Sequence, residues 1–190
     1  MNVSDAGRSL YVAAGLGGLI TGVLTPFMQL LVIRTQLSGN HALVLLALPF
    51  AVLVMGLLHA TRSPPWWALV TAALVTTVAF VAAVSAAVFV VELPSGLPKV
   101  VRYMLAGIAG GLVGTSIMAI GLRLLPLGRA GLRAWLPMLA IGVVVGILLA
   151  VDILIKVPLV SVLYPVWQAG VAIGLVKGLC SDRPVSFAVA

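Results

Sequence analysis

Six long apolar runs, separated by short polar gaps, dominate this chain of 190 residues. They cover, approximately, residues 10–33, 42–59, 66–91, 103–122, 134–155 and 159–179. An α-helix rises about 1.5 Å per residue, so runs near 20 residues match a hydrocarbon layer of about 30 Å. We therefore predict an all-α, polytopic integral membrane protein, a bundle of about six transmembrane helices.

The composition agrees with this class and excludes two others. Charged residues make up 8% of the chain, against about a quarter in a typical soluble domain. A transmembrane β-barrel would alternate polar and apolar residues along each strand, whereas the stretch from Ala140 to Val151 contains no polar side chain. We expect residues 1–180 to form one six-helix domain with antiparallel neighbours, because the gaps are short, and residues 181–190 to form a short tail.

The basic residues give an expected orientation. The net charge is +7, but these residues are scattered through the gaps rather than gathered on one face, so we expect no nucleic-acid partner. Cytoplasmic loops of membrane proteins carry the excess of Lys and Arg. A cytoplasmic N-terminus places seven basic residues inside, namely Arg8, Arg62, Arg123, Arg129, Arg133, Lys177 and Arg183, and leaves four outside, namely Arg34, Lys99, Arg102 and Lys156. We predict a cell-membrane protein with both termini cytoplasmic, and the compact chain without organelle-targeting features favours a bacterial inner membrane.

Small residues spaced four apart predict close helix packing. They are Gly18 and Gly22, Gly107 with Gly111, Gly110 with Gly114, Gly142 and Gly146, Gly170 with Gly174 and Gly178, and the alanines Ala79, Ala83 and Ala87. Such spacing lets two helix backbones approach closely in lipid. These faces either pack the monomer or form contacts with further copies or other membrane subunits. The second run lacks such spacing, and we expect it to be the most lipid-exposed helix.

One short pattern recurs at about half the chain length. Gly17-Gly18-Leu19-Ile20 returns as Gly110-Gly111-Leu112-Val113, 93 residues later. Each copy lies in the first helix of a three-helix group. Two units with an odd number of crossings have opposite orientations, so the pattern allows two inverted three-helix repeats.

The first run carries a polar stripe. Thr21, Thr25 and Gln29 are spaced four apart and share one helix face. Pro26 interrupts the same segment and frees a backbone carbonyl. A proline-broken helix with polar side chains is typical of a substrate path. The alternative is that the hydroxyls bond their own helix and Gln29 bonds a neighbouring helix.

The sixth run holds a second group of polar residues. Tyr164 and Gln168 lie in its first half, close to Pro165. An amide in hydrocarbon needs a hydrogen-bond partner, and Gln29 or a carbonyl freed by a proline could provide it. Both residues are candidates for the same substrate path, or Gln168 serves only to hold helices together.

Asp152 is the acidic residue that lies inside an apolar run. Ionisable groups in such segments are costly and mark functional sites by default. Lys156 follows four residues later in the favourable order for a helical salt bridge. The sequence therefore allows an interfacial ion pair between Asp152 and Lys156 or a site linked to protons or cations.

The sequence predicts neither a cofactor nor a metal site. His41 and His59 lie 18 residues apart, at opposite ends of one run, and no catalytic motif is recognisable, which argues against an enzyme. The favoured hypothesis is a small transporter or channel-like protein for a small solute, ion or lipid. The alternative is a non-catalytic subunit or assembly partner of a larger membrane complex, and a membrane enzyme or sensor is less favoured.

Overall fold

The computed structural model describes residues 3–94, 96–126, 132–155 and 161–181, and every regular element within these ranges is an α-helix. The helices are α1 (Val3–Thr35), α2 (Asn40–Arg62), α3 (Trp66–Glu92), α4 (Lys99–Arg123), α5 (Leu132–Gly146), α6 (Leu148–Ile155) and α7 (Leu163–Cys180). A single turn residue, Ile147, separates α5 from α6. The prediction of an all-α chain is confirmed.

Six helical segments are long and apolar enough to cross a membrane. They are Gly7–Thr35, His41–Arg62, Trp66–Glu92, Lys99–Arg123, Arg133–Ile155 and Leu163–Cys180. The fifth combines α5 and α6. This set indicates a membrane protein with six spans, as the apolar runs predict.

Turn residues end the helices where the apolar runs stop. Gly39 adopts a φ of 60° between α1 and α2, a left-handed conformation that costs glycine little. Ser63 adopts a φ of 42° after α2, and its N–H donates to the carbonyl of His59 at 3.1 Å. Pro65 and Pro98 directly precede α3 and α4. Proline is tolerated at the start of a helix because the backbone N–H that it lacks would have no partner within the helix there.

The spans form a closed ring in chain order. Each packs on the next, from α1 through α5, then α7 follows α5 and closes the ring against α1. Neighbours are antiparallel: Gly18 of α1 faces Ala169, while Gly22 faces Pro165. The start of α1 and the end of α7 therefore lie on one side, which we call the terminal side. The end of α3 and the start of α4 lie on the opposite side, called the far side.

Side chains of α2 fill the centre of the ring, contrary to expectation. Phe50, Val54 and Leu58 of this helix are each at most 1% exposed, and Phe50 meets Trp167 of α7 at 5.8 Å between ring centroids. In the most apolar window of each span, 39% of the α2 residues are buried against 17% for α3. The prediction that the second run is the most lipid-exposed helix is wrong. Large side chains reach the core without close backbone contact, so a lack of small residues does not imply exposure.

The recurring glycine pairs do not pack as an inverted repeat requires. Gly17 of α1 faces the following helix, α2, and Gly18 faces α7. In α4 the order is reversed, since Gly110 faces the preceding helix, α3, and Gly111 faces α5. A two-fold axis in the membrane plane reverses the order in which helices follow each other around a ring. The second three spans continue around the ring in the same direction as α1–α3, so such an axis cannot relate the two groups. The similarity of the two motifs is local.

Candidate functional site

The interface between α1 and α7 brings two polar residues together. Gly18 and Gly22 lie directly against the backbone of Ala169 and Pro165. One turn further along α1, the side-chain amide nitrogen of Gln168 donates to the Thr25 hydroxyl at 2.9 Å. Both side chains are fully buried. The glycines let the two helix backbones approach closely, and this approach places the Gln168–Thr25 hydrogen bond in the interior of the bundle.

The hydroxyls of the predicted polar stripe bond their own helix. Thr25 donates to the carbonyl of Thr21 at 3.0 Å, and Thr21 donates to the carbonyl of Gly17 at 2.9 Å. The amide oxygen of Gln168 is buried and has no hydrogen-bond partner within the described part of the chain. Most of the side-chain hydrogen-bonding groups at this interface thus have partners within the protein.

Gln29 lies apart from this group. Its side chain is exposed, and the partner of Gln168 is Thr25 rather than Gln29 or a carbonyl freed by proline. Helix α7 begins at Leu163, and Gly22 already faces Pro165 near that start. Gln29 is two turns beyond Gly22, where α7 no longer lies opposite. The spacing of four along α1 does not place all three stripe residues against α7.

Asp152 caps the start of α7. Its carboxylate accepts a hydrogen bond from the Ser161 hydroxyl at 2.5 Å and from the backbone N–H of Val162 at 2.7 Å. The Leu163 N–H approaches the same carboxylate at 3.4 Å, and the Tyr164 N–H donates to the Ser161 oxygen at 3.3 Å. The first N–H groups of a helix lack partners within the helix, and a carboxylate there also suits the helix dipole. Lys156, the predicted ion-pair partner, lies outside the described residues.

An apolar cavity of about 300 Å³ lies in the far half of the bundle. It is half open and is bounded by α3, α4, α5–α6 and the start of α7. Its lining residues are Phe80, Ala83, Val84, Ala87, Val88, Val91, Glu92, Tyr103, Gly107, Gly110, Gly111, Gly146, Leu149, Leu163, Tyr164 and Trp167. Among the lining residues, Glu92, the two tyrosines and Trp167 are those with polar side-chain atoms. The volume is at the low end of small-molecule sites, about 300–1,000 Å³.

Small residues and one aromatic cluster shape this cavity. Gly107 and Gly110 of α4 lie directly against Gly146 and Ala83 on either side, so apart from Tyr103 the α4 wall consists of glycines. At the inner end, Tyr164 stacks on the Phe80 ring with centroids 6.1 Å apart. Sequence reasoning missed the cavity. The available signal was the set of small residues on three runs, which we interpreted only as packing.

Two charged residues lie at the end of the cavity on the far side, which we call its mouth. Glu92 is the last residue of α3 and is exposed. Lys99 is the first residue of α4, and its ammonium nitrogen lies 5.8 Å from the centroid of the Tyr103 ring. Among the described residues, Glu92 makes no ion pair or hydrogen bond. One carboxylate therefore lines the mouth, and one ammonium group lies next to it, beside the lining residue Tyr103.

Two sites with different character emerge from this geometry. The Thr25–Gln168 pair is closed and internal, whereas the cavity is open, apolar and ends at charged residues. No known protein family, curated protein or solved structure matches this chain. The geometry of the cavity is therefore the main support for a functional proposal.

Proposed function

We propose that this protein binds a membrane lipid in the cavity and moves it between the two leaflets. The observation that carries the proposal is a half-open cavity of about 300 Å³ with an almost wholly apolar lining, set among membrane-spanning helices. Water gains few hydrogen bonds in an apolar cavity, whereas a lipid chain has the matching chemistry and surrounds the protein. The volume accommodates part of one chain rather than a whole lipid.

The polar groups of α1 and α7 support a lipid over an ion or a polar solute. A conducting path needs a line of free polar groups that replaces the hydration shell of an ion. The hydroxyls of Thr21 and Thr25 are instead bonded to their own helix, and the Gln168 amide nitrogen bonds Thr25. Gln29 is separated from them. Tyr164 lines the cavity and is the predicted path residue that we place in contact with the lipid.

We further propose that the terminal side faces the cytoplasm, so that the cavity opens toward the outer leaflet of the cell membrane. Among described residues, the terminal side carries Arg8, Arg62, Arg123, Arg133 and Lys177, and the far side carries Arg34, Lys99 and Arg102. Positive charge is enriched on the cytoplasmic side of membrane proteins. Ser38 and Ser63 are exposed residues on the far side and the terminal side, respectively. Cysteine labelling of Ser38→Cys and Ser63→Cys in intact cells, in a Cys180→Ser background, should label the first position alone, and the opposite pattern would reverse the orientation.

A lipid-translocation assay tests the proposed function. Vesicles that contain the protein and a lipid with a fluorophore on a short acyl chain and an unmodified head group are treated with a membrane-impermeant quencher, which reports how fast inner lipids reach the outer leaflet. Val91 lines the cavity, so Val91→Phe should fill part of it and slow translocation several-fold. Val70→Phe introduces the same side chain at a position of α3 that is 45% exposed, and it should leave the rate unchanged. Vesicles that translocate no faster with the protein than without it would refute the proposal, as would equal rates for the two variants.

A further inference from the structure

The end of α3 and the start of α4 place opposite charges at the mouth of the cavity. Glu92 ends α3 and lines the cavity, and Lys99 begins α4. The carbonyl end of a helix carries partial negative charge, and its amino end carries partial positive charge. Each side chain here has the same sign as its own helix end. The mouth is therefore bipolar, with a negative half at Glu92 and a positive half at Lys99.

Each half suits one part of a zwitterionic head group. Within the described ranges, no side chain caps the start of α4, so its first N–H groups and the Lys99 ammonium suit a phosphate, the usual ligand of a helix amino end. The Glu92 carboxylate has no partner among the residues that the structure describes, and it suits a cation. The chain carries only four acidic residues, and Asp152, the other acidic residue at this end of the bundle, is occupied by the α7 cap.

The surroundings favour a primary ammonium group over a quaternary one. A primary ammonium donates hydrogen bonds to a carboxylate, and such charge-assisted bonds are stronger than neutral ones. A quaternary ammonium cannot donate and is recognised mainly by free aromatic faces. At the mouth, the Tyr103 ring already has the Lys99 ammonium beside it. The aromatic cluster of Phe80, Tyr164 and Trp167 lies deeper, at the inner end of the cavity.

We propose that the cavity mouth selects a phospholipid whose head group carries a primary ammonium, with the ammonium at Glu92 and the phosphate at Lys99. This inference rests on the proposed function, because it assumes that a lipid chain occupies the cavity. Glu92 and Lys99 then set which lipid is taken, while the apolar lining holds its chain. An anionic head group without an ammonium would pair its phosphate with Lys99 but would leave the Glu92 carboxylate without a cation.

Native mass spectrometry of the purified protein tests the selectivity directly. The delipidated protein is mixed with equal amounts of phosphatidylethanolamine, phosphatidylcholine and phosphatidylglycerol that have identical chains. We expect bound phosphatidylethanolamine to exceed each of the others several-fold. Glu92→Gln should abolish the preference over phosphatidylglycerol without loss of total lipid binding, and Glu92→Asp should keep part of it. Lys99→Gln should weaken binding of all three lipids to similar extents.

The outcomes separate this inference from the proposed function. Lipid binding that Val91→Phe reduces, but that shows no preference for the primary ammonium, would overturn the head-group inference and leave the cavity proposal standing. An unchanged preference in Glu92→Gln would also overturn the inference. Binding that is insensitive to Val91→Phe would place the lipid elsewhere and overturn both.

Discussion

Replacement of Gly142 by alanine tests the close packing of α4 on α5. A Cβ atom at this position would lie 2.7 Å from the Gly111 carbonyl oxygen and 2.5 Å from the Thr115 methyl carbon. Thr115 is fully buried, and its hydroxyl donates to the same Gly111 oxygen at 2.6 Å. Ordinary contact begins near 3.4 Å, so the backbones must separate by about 0.7 Å at the Gly111 oxygen, and the Thr115 methyl must move by about 0.9 Å.

The expected cost follows from two opposing terms. Overpacking of a tight core costs about 1–3 kcal/mol, and the better helix propensity of alanine over glycine returns up to about 1 kcal/mol. Gly142→Ala should therefore lower the free energy of unfolding by about 1–2 kcal/mol, roughly a 5- to 30-fold change in the folded-to-unfolded ratio. Gly56→Ala is the matched control, because a Cβ there has nothing within 4 Å, and it should leave stability equal or slightly higher.

Reversible unfolding in mixed micelles with increasing sodium dodecyl sulfate measures this difference. Tryptophan fluorescence is a suitable signal because Trp135 and Trp167 are buried in the bundle. The midpoint for Gly142→Ala should fall below that of the unmodified protein, while Gly56→Ala should not lower it. If both variants unfold at the same midpoint, the close contact between α4 and α5 does not contribute as described.

Three further predictions address the polar contacts. Thr25→Val should lower the free energy of unfolding by about 0.6–2 kcal/mol, because it leaves the Gln168 amide without its partner; adding Gln168→Leu should recover most of the loss, and additive losses would contradict the pairing. Asp152→Ala should remove about 0.5–2 kcal/mol of capping free energy and speed amide exchange at Leu163, with exchange at the end of α7 as the internal control. Arg62→Gln should speed exchange in the last turn of α7 instead, because the Arg62 guanidinium donates to the Leu179 carbonyl there, and unchanged exchange would show that this bond is not maintained.

Properties carried by a single run could be predicted from the sequence. Hydropathy and length are local, so the apolar runs gave the spans to within a few residues, and Pro65 and Pro98 marked two of the helix starts. Glycines four apart indicated close approach, and Gly18 and Gly22 do lie against the backbone of α7.

Properties that depend on where helices cross could not be predicted. Thr25 and Gln29 both lie on the polar side of α1, but only Thr25 meets Gln168, because α7 begins too late along its axis to face Gln29. The side of α2 that faces the core carries Phe50 and other large side chains, which resemble lipid-facing residues when hydropathy is the guide. The cavity forms where several helices come together, and the sequence of one apolar run does not show which other runs will pack beside it.

The closure of the ring by α7 has a consequence for biogenesis. As the chain emerges from the ribosome, α1 enters the membrane before the other five described spans, but its glycine surface at Gly18 and Gly22 receives its partner only when α7, the last of them, has been synthesised. Until then, this surface is in contact with lipid or with components of the insertion machinery, which α7 must displace. The packing of α7 against α1 also brings together the hydrogen bonds between Thr25 and Gln168 and between Arg62 and the Leu179 carbonyl. A folding defect in α7 would therefore leave an inserted intermediate in which the α1 surface at Gly18 and Gly22 has no helix packed against it. Membrane quality-control proteases can recognise a surface of this kind.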